Sequence, residues 1–111
     1  MIFITGPLFS GKKDYVRNAL RWSEEDMRRH AVWNVQELAA EAEDLERLAD
    51  ELSKKQVVIA TEVGGGVVPM DPKERGSREA AGRLSCLLAE RADTVIRVFC
   101  GLPRALKGEL L

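Results

Sequence analysis

The chain is poor in the residues that staple small proteins or bind metals by themselves, with two cysteines and one histidine in 111 residues. A disulfide scaffold is excluded, and Cys86 and Cys100 have none of the Cys/His spacing of a zinc site. They are expected to be buried, reduced thiols. Net charge is also nearly absent: 17 Lys and Arg stand against 18 Asp and Glu. No long-range field draws the chain to nucleic acid or anionic lipid, and neither is expected as a partner. No apolar run approaches the roughly 20 residues of a bilayer span. Met1-Ile2-Phe3-Ile4 has no basic leader and meets Gly6 too early for a signal peptide, so a cytoplasmic location is expected.

What remains is 45% hydrophobic and 32% charged, the balance of a folding globular chain. The length suits one domain, 1–111. Ile2 to Thr5 is a short β-branched run halted by Gly6-Pro7, and Val16, Ala19 and Leu20 then share a helical face between Gly11 and Trp22. Ser23 to His30 is densely charged and is expected as exposed helix or loop, with Ser23 placed to cap a turn. Ala31 to Val35 is a short strand or an extended connection. Leu38, Ala42, Leu45, Ala49 and Leu52 alternate spacings of four and three, predicting one long helix from Gln36 to Lys54. Val57 to Ala60 is a second buried strand, emptying into Glu62-Val63-Gly64-Gly65-Gly66-Val67-Val68-Pro69. After a turn at Met70-Asp71-Pro72, a helix from Ser77 to Arg91 turns Ala81, Leu84, Leu87 and Leu88 inward. Thr94 to Phe99 is a third strand, ended by Gly101-Leu102-Pro103. Strands joined through helices require crossovers, so a parallel sheet covered by helices is expected.

The strongest chemical signal is Gly6-Pro7-Leu8-Phe9-Ser10-Gly11-Lys12-Lys13, which satisfies G-x-x-x-x-G-K between a strand and a helix. The glycines let successive amides point into one concavity, the helix start adds partial positive charge, and Lys12 reaches the outer phosphates of a nucleotide. Position 13 departs from the motif. A hydroxyl there ligates Mg²⁺, whereas Lys13 has no lone pair to offer. Glu62 closes the second apolar run, where an acidic group either organises a metal or takes a proton, or else braces the loop. His30 is either a nucleophile or base, or a solvated side chain. Arg75, Arg78 and Arg83 either bind phosphate or pair with Glu74, Glu79 and other carboxylates.

In order and wording, the phosphate loop, the string Glu62 to Pro69, the segment Arg78-Glu79-Ala80-Ala81-Gly82-Arg83 and the stretch Gly101 to Lys107 resemble one family. It is the adenosylcobinamide kinase/adenosylcobinamide-phosphate guanylyltransferases of cobalamin (vitamin B12) synthesis, and the chain looks like a shortened, divergent member. The resemblance implies a three-layer P-loop (RecA-like) α/β fold with a small, mostly parallel sheet flanked by helices. It implies a homo-oligomer, ATP or GTP with Mg²⁺, and phosphoryl transfer to a corrinoid hydroxyl followed by GMP transfer. Gly6, Gly11 and Lys12 would hold phosphates, with Glu62, Val63, Gly64, Gly65, Gly66 and Pro69 lining the site. Trp33 and Glu37 keep a spacing that in the family follows a guanylylated histidine, which would point to His30. The alternative is a non-catalytic oligomerisation or regulatory module that keeps the fold and binds a nucleotide, an anion or a partner protein.

Overall fold

A computed structural model describes residues 1–63 and 70–111. Gly64, Gly65, Gly66 and Pro69, expected to line the site, lie outside the described residues. Ile2–Gly6 forms β1, Lys12–Leu20 α1, Glu24–His30 α2 and Ala31–Val32 β2. A 3-10 turn at Val35–Leu38 leads to α3, Leu45–Leu52, and then β3, Val57–Thr61. Pro72–Arg91 is α4, Thr94–Phe99 β4 and Leu102–Lys107 β5. The sheet runs β2-β3-β1-β4-β5, parallel except for the β4–β5 pair.

The two faces of the sheet follow the alternation of each strand. Phe3, Val58, Ala60 and Val95 pack under α3 and α4, with Ala49, Leu52, Ala81, Leu84 and Leu88. Ile4, Ile59, Ile96 and Val98 pack under α1 and α2, with Val16 and Met27. Cutting Leu84 or Leu88 to alanine should cost about 2–5 kcal/mol, since both are fully buried. The connection leaving β1 leads outward to β2, while that leaving β3 passes over β1 to β4. Opposite departures open a crevice at the carboxyl ends of the central strands, where open α/β sheets bind ligands.

Four expectations are corrected. The long helix over 36–54 is broken, because Asp44 Oδ1 accepts from the Glu46 and Arg47 amides at 3.0 and 3.2 Å and starts a new helix there. Ala49 and Leu52 are buried in the core, whereas Leu38 is left exposed. Helix α4 starts at Pro72, not Ser77, because Asp71 caps it by accepting from the Lys73 amide and proline fits its first turn. Gly101-Leu102-Pro103 does not end the sheet. Cys100 and Gly101 both have positive φ, 51° and 75°, and form the two-residue turn of a hairpin. Pro103 is tolerated because β5 is an edge strand. Finally, Cys86 and Cys100 are free but exposed, not buried.

Candidate phosphate-binding site

The first strand delivers Gly6 to the mouth of the crevice with φ +153°, and a Cβ there would lie 2.2 Å from the Val98 carbonyl oxygen. Only glycine fits this passage between β1 and β4. The Gly6 carbonyl accepts from the Glu62 amide at 2.9 Å, tying the loop to the end of β3. Leu8 and Phe9 then rise to the surface, Phe9 with φ 58° and 94% exposed. Ser10 turns back inside and its carbonyl accepts from the Gly101 amide at 2.8 Å. Gly11, at φ 87°, starts α1 without any side-chain cap, so the first amides of that helix carry no side-chain acceptor.

Two polar groups are enclosed by this wrap. Lys12 is 8% exposed and its ammonium donates to the Pro7 carbonyl at 2.7 Å, turned back over the loop. Burial pushes its pKa below the usual 10.5, and the Glu62 carboxylate pulls the other way. The Ser10 hydroxyl is buried and has no hydrogen-bond partner among the described residues. An unpaired buried hydroxyl carries a desolvation cost that an incoming acceptor would relieve.

Clefts open on both sides of the loop. One, of about 470 Å³, is lined by Leu8 to Asp14 together with Trp33, Asn34, Ile59 and Thr61. The other, of about 850 Å³, has Pro7, Glu37, Glu62, Val63, Arg78 and Arg97 in its walls. Glu62 stands at the carboxyl end of its strand and is gripped by Arg97, whose Nε and Nη2 donate at 2.8 and 2.9 Å. Arg78 faces the same cleft and lies 3.7 Å from Glu74. Arg83 does not join them; it lines an outer surface of α4 beside Glu79, Gly82, Cys86 and Leu87.

The expected grouping fails at His30. Ala31 pairs with Val57, and Val57 with Ile2, so His30 lies at the amino end of the sheet while the loop leaves its carboxyl end. Four residues of strand separate the two levels, about 13 Å at ~3.3 Å per residue. The imidazole is exposed and its ring centre is 5.6 Å from that of Trp22. Arg97, which lines the larger cleft, went unnoticed in the sequence, and Trp33, which lines the smaller one, was noted only for its spacing to Glu37. Arg97 had a signal, being the one charge inside the apolar run Thr94 to Phe99.

Among the described residues the loop lacks the usual hydroxyl ligand for Mg²⁺. Lys13 replaces the hydroxyl ligand, Glu62 is committed to Arg97, and no group of three His, Cys, Asp or Glu side chains converges among the described residues.

A mostly parallel sheet with a strand, a glycine loop and a helix start wrapped around an inward lysine is the arrangement of a P-loop-like α/β fold. A family model described as cobinamide kinase / cobinamide phosphate guanyltransferase matches residues 14–106, and the chain belongs to that family. The match starts just after the phosphate loop. The chain is also 38% identical over 76 residues to the bifunctional adenosylcobalamin biosynthesis protein CobP of Pseudomonas aeruginosa, a stretch covering 68% of this chain and 44% of the relative. It therefore matches less than half of that relative's length.

Proposed function

We propose that this chain binds the phosphates of ATP or GTP on the loop Gly6 to Lys12 and serves cobalamin biosynthesis. The observation that carries this reading is the enclosed pair of polar groups, Lys12 folded over the Pro7 carbonyl and Ser10 with an unpartnered hydroxyl, at the uncapped start of α1. A phosphate entering there would take the Lys12 ammonium from a neutral carbonyl, and charge-assisted bonds are roughly twice as strong as neutral ones. The family membership and the name of the Pseudomonas relative support the pathway. A corrinoid whose side-chain hydroxyl receives the phosphoryl group, and a homo-oligomeric assembly, belong to the same reading.

In a transfer reaction Lys12 would neutralise charge developing on the phosphoryl oxygens. Glu62 is less free to act, since Arg97 holds both of its oxygens. That ion pair, with Lys13 in the hydroxyl's place, favours a second reading in which the chain binds nucleotide or another anion without transferring anything.

Calorimetric titration of the folded chain with GTP and ATP tests the proposal. Micromolar binding that Lys12→Met weakens at least about tenfold is expected. Absence of binding to either nucleotide, with and without Mg²⁺, would overturn it. Radiolabelled phosphate appearing on a corrinoid separates transfer from binding alone.

A further inference from the structure

Position 13 is where a phosphate loop ordinarily presents the hydroxyl that holds the metal bridging the outer phosphates. Here the side chain is an exposed ammonium, and it is not left to wander. Lys13 Nζ lies 4.1 Å above the Trp33 ring centre. Both residues border the smaller cleft, together with Ser10 and Lys12.

The ring is a fixed platform. Trp33 follows the two-residue strand β2 and packs against the cluster containing Ile4, Val16, Ala31 and Ile59, beneath α1. Asn34 then turns the chain through the left-handed region at φ 57°. With the ammonium exposed and the indole partly buried, the cation–π contact gains about 0.5–1 kcal/mol. That is enough to bias a flexible lysine toward the loop and modest enough to release it to a stronger anion. Because a lysine side chain carries large rotamer entropy when free, prior placement of Lys13 reduces the cost of binding.

An ammonium shares the sign of the missing metal and offers three N–H donors to phosphate oxygens. It cannot ligate a cation, and it repels one. We infer that Lys13, parked on Trp33, substitutes for the divalent ion, so that the cleft takes a metal-free polyphosphate. This inference rests on the phosphate-loop reading above. The buried Ser10 hydroxyl, without a hydrogen-bond partner among the described residues, borders the same cleft as Lys13 and Trp33. Magnesium then becomes a competitor, since it coordinates the same phosphate oxygens and brings positive charge toward Lys13.

The test uses inorganic triphosphate and GTP as probes, titrated into the full chain in excess EDTA and in excess Mg²⁺. Tighter binding in EDTA, by about threefold or more, is expected for the unaltered chain. Lys13→Ser should keep the fold, checked by circular dichroism, weaken the EDTA binding about five- to tenfold and restore a preference for Mg²⁺. In a Trp22→Phe background, where Trp33 is the sole indole, triphosphate should change the fluorescence, and Lys13→Ser should abolish that change. Binding that requires Mg²⁺, or a Lys13→Ser variant indistinguishable from the parent, would overturn the inference while leaving the phosphate loop intact. No binding of either probe in either buffer would bring down both.

Discussion

Arg97 on β4 and Glu62 beyond the end of β3 clasp each other across the intervening β1, with three N–H···O contacts of 2.8, 2.9 and 3.2 Å. The pair stands at the mouth of the phosphate loop, and Glu62 is the carboxylate that acts on the buried Lys12. Without Arg97 an unbalanced anion would face the incoming phosphate. Since both side chains are more than a third exposed, Arg97→Ala should cost little stability. It should nevertheless weaken GTP binding several-fold, and Glu62→Gln on top of it should recover most of the loss. A double-mutant cycle in GTP affinity checks this; additive effects would show that the two residues do not act as a unit.

The buried lysine predicts a pH limit. Its pKa is below 10.5, and only the charged form attracts phosphate. Nucleotide affinity should therefore be constant at neutral pH and start to fall at a lower pH than an exposed lysine would give. Lys12→Arg, if it binds, should move the decline upward. Titrations between pH 7 and 10.5 measure the two curves.

The glycines sort into two kinds. Gly6→Ala should destabilise by at least about 2 kcal/mol, as positive φ and the Val98 carbonyl both oppose a methyl group. Gly76 and Gly82 lie within α4 with nothing within 4 Å of an added Cβ. Alanine at each should stabilise by about 0.5–1 kcal/mol. Urea unfolding distinguishes these opposite signs.

The second helix carries an acid-sensitive cap. Ser23 Oγ accepts from the Asp26 amide at 3.1 Å while the Asp26 carboxylate accepts from the Ser23 amide at 3.0 Å, which lowers the Asp26 pKa below 3.8. A lowered carboxyl pKa gives stability that is complete above the unfolded value and is lost as pH falls through the folded one. Thermal melts of Asp26→Asn should be less sensitive to pH between about 5 and 3 than those of the parent.

His30→Asn should leave GTP affinity unchanged, because the imidazole sits at the other end of the sheet from the loop. A loss of binding in this variant would contradict that separation.

Much of this was legible from residues alone where one local rule acted without competition. Ile2 to Gly6 and Val57 to Thr61 are apolar runs stopped by loop residues, and both are strands. The strand, glycine loop and helix order at Gly6 to Lys12 also stands as expected. Reading failed where two rules competed. The four-three stripe from Leu38 to Leu52 argued for one helix, but the carboxylate of Asp44 intercepted two amides and started it afresh. Cys100-Gly101 lacks the Asn or Asp that usually marks a tight hairpin, so β5 went unseen. The site was half visible for a similar reason. Lys12 announces itself through spacing, whereas Arg97 arrives from the distant strand β4 and Trp33 from just beyond β2, and only the sheet order brings them near the loop.

The Gly101 amide that holds the Ser10 carbonyl makes the edge hairpin a strut for the anion cradle. The tip of the last hairpin, formed some 90 residues after the cradle, must fold back before the cradle's shape is complete. A nascent or clipped chain ending before Gly101 would carry every motif residue from Gly6 to Lys13 and still present a slack, poorly gripping mouth.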